Sequence, residues 1–541
     1  MTIFQDRSLQ GLRKYLPHLL LFLLFIASYL LTESIIRKKI IEKEVSYTSN
    51  SASEVYMVWG QMSGQPVPDS LLPAGSFTKD EVIWSKLSNM NGQFSTRIKL
   101  PNKTYFYYWM VQTRNNQNEP TDIWDSGRAD KEYFTGYISV NEIFKPGYFI
   151  FLAGFLPLVL FYLKQRNKSV KTIDSLFKIN GYIPQLDTIR AIAVLLVIIH
   201  HWLPQDSVLN IVPNGPLGVN IFFVLSGFLI TGILLREKNQ AELLKQKRKT
   251  IFRNFYIRRS LRIFPIYYLF LLVLWIIHDP SVQSDGPYFY TYTSNYLFYA
   301  QEFFPVRTPH LWSLGVEEQF YLLWPWLIVF SSRKILPYLI LLFLVIGISS
   351  NYIITGKGWW SEILTIACFD AFAIGGFLSW LIAYRQDIIT KFQPLFKFFL
   401  IPVVLLFILD IFQISVIPAR TIHSLLAIAL IFICLFKINN RPVNFILNNK
   451  WLIRLGKISY GIYLYHLVIP ELRMAIENAF TNMGYDFMFT QAMPEKFRPA
   501  WIFIQNFLLL LCIASLSWKF IEKPINKLKD KFTVRPKPVL N

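Results

Sequence analysis

Apolar residues gather into runs long enough to cross a bilayer, and short polar segments separate them. A spanning helix needs about 20 mostly apolar residues, and on that measure the pattern predicts about 12 spans in two groups. The first group is a pair, roughly 15–35 and 147–164. The second is ten spans, roughly 186–203, 217–235, 261–278, 311–330, 335–353, 361–384, 396–412, 420–437, 454–470 and 501–518. No small-residue cleavage site follows the first run, which predicts a retained anchor rather than a removed signal.

Between the first two runs the period shortens. The β-rich stretches VYMVWG (55–60), FSTRIKLP (94–101) and TYFYYWMVQT (104–113) are broken by turn signals such as NNQNEP (115–120), which predicts a small all-β sandwich. The expected order is a cytoplasmic tail and first anchor (1–44), an extracytoplasmic β-sandwich (45–145), a second transmembrane helix with a basic linker (146–181), a ten-span helical bundle (182–530) and a cytoplasmic tail (531–541).

Composition agrees with lipid as the solvent: of 541 residues, 53% are hydrophobic, 17% aromatic and only 16% charged. A net charge of +21 would suit nucleic acid if it were clustered, but the Lys and Arg runs lie between apolar stretches, at 164–171, 245–262, 331–334, 437–450 and from 519 onward. Under the expected span order these runs share one side, the cytosol of a plasma (inner) membrane, with both termini there. Arg37, Lys38, Lys39 and Lys43 run against that assignment. Cys368, Cys434 and Cys512 each sit inside an apolar run, and no His or Cys pair has ligand spacing, so neither a disulfide framework nor a metal is expected.

Ionisable residues within the spans carry the chemistry, because their burial in hydrocarbon is costly. In LDTIRAIAVLLVIIHHW (186–202), eleven residues of helix bring His201 to within about 20° of Arg190 and about 16 Å further along, near mid-membrane if Arg190 marks the cytoplasmic edge. In FYIRRSLRIFPIYY (255–268), Arg259 and Arg262 share a face closest to the membrane, and guanidinium forks suit phosphate oxygens. Much of the surrounding basic run is a plain topology signal. In HLWSLGVEEQFYLLWP (310–325), His310 and Glu317 share a face with Ser313 between them, while Glu318 points elsewhere. Either carboxylate could orient a histidine or bind sugar hydroxyls, or could pair with a nearby arginine.

These motifs resemble the acyltransferase-3 family of membrane acyltransferases, which includes O-antigen and peptidoglycan O-acetylases. The resemblance covers roughly 182–530. It rests on LDTIR with His201 eleven residues beyond Arg190, GVNIFFVLSGFLIT (218–231), the RRSLRIFP run, WSLGVEEQFY, GKISYGIYLYHL (456–467) and IEKP (521–524). Thr188 stands where the family usually has glycine.

The resemblance implies transfer of an acyl group, commonly acetyl, from cytosolic acyl-CoA to a glycan hydroxyl across the membrane, with acyl-CoA as a substrate and no resident cofactor. Arg190, Arg259 and Arg262 would stop the CoA phosphates. His201 would act as general base or as transient acyl acceptor, two roles the sequence leaves open. Glu317 would orient the imidazole or the acceptor, and Tyr460, Tyr463 and His466 would line the same cavity, with His310, Ser313 and Glu318 as further acceptor contacts. The acceptor would be a glycan or lipid-linked polysaccharide, with membrane lipid around the bundle and a homo-oligomer left open. Some family members continue into a soluble esterase-like domain, which the roughly twenty residues after the last span are too few to form.

The order of VWG, a PAG turn, GQF and IWDSG within 45–145 looks like starch- or glycogen-binding sandwich modules. Trp59, Trp84, Trp109 and Trp124 are then either sugar-stacking or, the favoured reading, strand-packing aromatics. A glycolipid transporter or flippase is the rival class, but no internal repeat is visible.

Overall fold

The protein is described by a computed structural model that covers residues 40–48, 52–61, 69–79, 82–101, 104–114, 120–125, 136–139, 182–204, 207–354, 358–412, 417–436, 441–482, 490, 494 and 497–532. The expected spans 15–35 and 147–164 and the linker between 164 and 171 lie outside these residues. The chain forms two compact units, one N-terminal and one containing nearly all of the helical region.

The N-terminal unit holds two antiparallel sheets. β1 (Ile40–Thr48), β6 (Gln93–Pro101) and β5 (Ser88–Met90) form one; β3 (Phe77–Lys79), β4 (Val82–Lys86), β2 (Glu54–Gln61), β7 (Thr104–Arg114) and β8 (Pro120–Asp125) form the other, with β9 (Gly136–Ser139) also on β7. Strand periodicity sends Val55, Met57 and Trp59 of β2 to one face, where each is fully buried. They meet Val45, Phe94 and Ile98 of the other sheet in one apolar core. Asn91 and Gly92 both take positive φ, 53° and 83°, and form the two-residue turn that sets the β5–β6 register. Trp59 donates to Ser85 Oγ over 2.8 Å and is a core residue, whereas Trp84 stacks on the half-exposed Phe77.

In the helical unit, α1 (Pro184–Trp202), α2 (Asn214–Leu243) and α3 (Arg248–Ile276) are followed by a short α4 (Pro280–Ser284), then α5 (Leu311–Phe330), α6 (Leu336–Ile353), α7 (Phe369–Tyr384), α8 (Phe396–Ile411) and α9 (Ala419–Phe436). α10 (Lys450–Lys457), α11 (Ser459–Tyr465), α12 (Ile469–Asn482) and α13 (Arg498–Ser517) come last. Among the described residues seven helices are long and apolar enough to cross a membrane: Pro184–Trp202, Asn214–Leu243, Arg248–Ile276, Leu336–Ile353, Thr365–Tyr384, Ala419–Phe436 and Arg498–Lys527. The pair Gln386–Leu395 and Phe398–Ile411, bent by 71°, would make an eighth.

Two expected spans differ. The segment 454–470 is not one helix but the end of α10, then α11 and the start of α12. Segment 311–330 is one unbroken helix, yet its Glu317, Glu318 and Gln319 keep it outside the seven.

α2 is the hub, packed by α1, α3, α5, α7 and α9. Its contact with α7 is backbone to backbone: a Cβ on Gly375 would sit 2.1 Å from Val224 O, and one on Gly227 would sit 2.2 Å from Phe372 O. α3, by contrast, leaves Leu269, Leu272, Val273, Trp275 and Ile276 exposed, an apolar surface suited to lipid.

Beyond the end of α3, Asp279 caps α4 through the amides of Ser281 and Val282 and pairs with Arg307 over 3.0 Å. Arg307 also bonds Glu471 of α12 over 2.6 Å, so one guanidinium ties three connections together. Burial alone would raise the Asp279 carboxyl, but the Ser281 and Arg307 hydrogen bonds outweigh it and hold the group below the usual carboxylate range.

Candidate active site

Inside the bundle, α1, α2, α3, α5 and α11 enclose a cavity. Three of its lining residues are arginines, Arg190, Arg259 and Arg262, and Glu317, Glu318, Ser313, Tyr460 and Tyr463 line it too. Arg190 is held by Asp187, one turn earlier on α1, at 2.5 Å. Arg259 lies over the ring of Tyr321, 4.9 Å from its centroid. The Tyr321 hydroxyl donates to Glu317 Oε2 over 3.2 Å and lies 3.0 Å from Ser226 Oγ, which donates to Glu317 Oε1 over 2.8 Å. Glu317 is therefore fixed on both oxygens beside the arginines, while Glu318 Oε1 is buried without a hydrogen-bond partner.

At one end the lining stops at Ser313 and Tyr463, whose hydroxyls lie 2.5 Å apart, one donating to the other, with the His310 carbonyl 3.0 and 3.3 Å away to accept the remaining proton. Behind them lies a cluster of imidazoles. The rings of His201 and His466 are 4.9 Å apart, those of His310 and His466 5.0 Å, and those of His200 and His201 5.0 Å. His310 and His466 are buried and His201 is exposed.

His201 occupies the last turn of α1. The helix ends there because Leu203, the residue before Pro204, is extended (φ −97°, ψ 148°), as a residue preceding proline prefers. Among the described residues no group of three or more His, Cys, Asp or Glu is arranged to hold a metal ion.

The arginines, carboxylates and tyrosines singled out in the sequence thus share one cavity, whereas the three histidines do not line it and lie behind Tyr463. The hydrogen bonds of Glu317 go to Ser226 and Tyr321, not to His201. The neighbour of His201 is His466, whose Nε2 is 3.3 Å from His201 Nδ1. Ser226, Tyr321 and Asp187 were missed by sequence reasoning, although all three stand inside the quoted motifs or one turn from them. Thr188 is buried and donates to Leu447 O over 2.9 Å, so the position expected to be glycine is a helix contact here.

A family described as "Acyltransferase domain" matches residues 183–519. The peptidoglycan O-acetyltransferase OatA of Listeria monocytogenes is 31% identical over 386 residues, 64% of this chain and 56% of that protein. The O-acetyltransferase OatA of Staphylococcus aureus is 28% identical over 397 residues, 66% of this chain and 60% of that protein. The chain thus spans less than two thirds of the length of these relatives. No solved structure matches.

Proposed function

The chain belongs to the acyltransferase-3 family, and on that premise we propose that it moves an acyl group, acetyl in the simplest case, from a cytosolic acyl-CoA to a hydroxyl of an extracytoplasmic cell-envelope glycan. One observation carries this reading: Arg190, Arg259 and Arg262 converge on a cavity inside apolar helices, and Tyr463 in its lining packs against His310 and His466, the latter next to His201.

Guanidinium forks match the pyrophosphate and 3′-phosphate of CoA. The slender pantetheine arm would then pass Glu317 toward Ser313 and Tyr463, with the thioester delivered near His201. His201 would take the proton of the acceptor hydroxyl or carry the acyl group itself. Glu318, with one carboxylate oxygen unpartnered, suits a sugar hydroxyl entering from the histidine side. The names of the two relatives favour a cell-envelope acceptor and an acetyl group. The reading also places the bundle in the plasma membrane with residues 45–145 outside, where the two-sheet unit would hold the acceptor polymer.

The test is transfer of radiolabelled acetyl from acetyl-CoA to surface glycan in membranes bearing the wild-type chain or His201→Ala. Label that appears only with wild type and is released by mild alkali supports an O-ester and the role of His201. Equal transfer by both keeps the enzyme and discards His201. No transfer from any acyl-CoA moves the weight to a glycolipid transporter.

A further inference from the structure

The carbonyl oxygens around the imidazole cluster determine which nitrogens carry protons, because a carbonyl can only accept. His466 Nδ1 is 2.7 Å from Tyr463 O, so that nitrogen bears the proton and His466 Nε2 is left as an acceptor. His201 Nδ1 is 2.9 Å from Val197 O and 3.3 Å from His466 Nε2, so it too is an N–H, shared between one carbonyl and one imidazole. His310 Nε2 donates to Leu464 O over 3.0 Å, which leaves its Nδ1 as a buried acceptor. Each tautomer follows from a separate backbone carbonyl, and the three agree. The consequence is that the lone pair of His201 lies on Nε2, which makes no hydrogen bond among the described residues.

Resting on the acyl-transfer reading above, we propose that His466 is a positioning residue for His201. It shares the Nδ1 proton that Val197 O already requires, and so holds the ring orientation that presents Nε2 and takes up charge as Nε2 reacts. His466 is itself anchored, since Trp202 Nε1 donates to its carbonyl over 3.0 Å and Tyr463 O holds its ring. When Nε2 removes the acceptor's proton, the hydroxyl oxygen bonds the acyl carbon, the carbon–sulfur bond breaks, and the proton leaves with the CoA thiolate. During that step the imidazolium charge is shared through Nδ1–H with His466. If the acyl group instead rests on His201, the same Nε2 attacks and the same Nδ1–H is held, so both routes need this tautomer. Glu317, expected from the sequence to orient the imidazole or the acceptor, bonds Ser226 and Tyr321 here rather than His201.

The experiment combines transfer kinetics with ¹⁵N spectra of histidine-labelled full-length protein in lipid, with the His201 signals identified by their loss in His201→Ala. Wild type should show His201 protonated at Nδ1. His466→Phe, which keeps a ring but removes the acceptor, should lower kcat about 100-fold and leave KM for acyl-CoA within about twofold, while Val197 O keeps His201 in the Nδ1–H form. His466→Gln, whose amide oxygen can accept from Nδ1, should recover at least about tenfold of that loss.

If His466→Phe transfers within about twofold of wild type, or if wild-type His201 is protonated at Nε2, the proposal is overturned while the transferase reading stands. If wild type transfers nothing from any acyl-CoA, the transferase reading fails, and the wild-type spectrum alone then decides the tautomer.

Discussion

If the cavity takes acyl-CoA as proposed, a few side chains should supply its binding energy, each with a separable signature. Replacing Arg259 or Arg262 by Ala removes a charge-assisted contact that contributes about 1.5–3 kcal/mol, so KM for acyl-CoA should rise by about tenfold or more while kcat stays within about threefold. Arg259→Lys should rescue little, because ammonium replaces neither the fork nor the stack on Tyr321. Equal kcat and KM in both alanine variants would remove the arginines from donor binding. Tyr321→Phe deletes the hydroxyl that joins Ser226 to Glu317 and should lower transfer about three- to tenfold with little change in KM for acyl-CoA. The arginines and Glu317 were legible in the sequence because ionisable groups stand out against an apolar helix. Ser226 and Tyr321 were not, since both residue types are common on such helices and gain meaning only from a partner on another one. The role of His466 was similarly hidden: its contact with His201 closes over 265 residues, a separation no local spacing encodes.

Elements add constraints that act through backbone. A Cβ on Gly456 would lie 1.8 Å from Asp187 O, so α10 touches the first turn of α1 with nothing between them. Gly456→Ala must push Asp187 away, and Asp187 holds Arg190. The expected result is weaker acyl-CoA binding together with a lower melting temperature in detergent. Gly375→Ala, at the α2–α7 contact where the displaced atoms are Val224 and Phe228 rather than Asp187, should lower melting by a similar amount with KM for acyl-CoA less affected in the folded fraction, which separates the two effects. The Asp279–Arg307–Glu471 tie has a pH signature. Because its pKa is depressed in the fold, its stabilisation is complete above the unfolded value near 3.8 and is lost as pH falls through the lower folded value. Wild-type melting should therefore fall below about pH 4 more steeply than that of Asp279→Asn, and parallel curves would show that the tie adds nothing. Long uniform helices were readable from apolar runs alone. Segment 454–470 was not, because its average hydrophobicity hides the break at Ile458, where α10 gives way to α11.

At the scale of the whole molecule, the two-sheet unit poses a different question from the bundle, because its core accounts for Trp59 and leaves the matter of what its outer surface meets. If the unit holds acceptor polymer, it does not change the chemistry at His201 but raises the local concentration of glycan hydroxyls there. Tethering of that kind raises the effective concentration of a weakly held polymer, on the order of millimolar for short links. Its loss should then appear in the acceptor's KM and disappear at saturation. Replacing residues 45–140 by a flexible linker in the full chain should therefore cut transfer to dilute polymer by about tenfold, leave the rate at saturating polymer within about twofold, and leave KM for acetyl-CoA alone. Short oligosaccharide acceptors provide the internal control, because they are too short to be held by a binding unit and react at the bundle at once; their kinetics should be the same with and without the unit. If polymer and oligosaccharide respond alike, or if neither responds, the unit is no acceptor-binding module. A fall in kcat for both acceptors would instead mean that the unit supports the bundle's fold, which the melting temperature of the deleted chain would report directly.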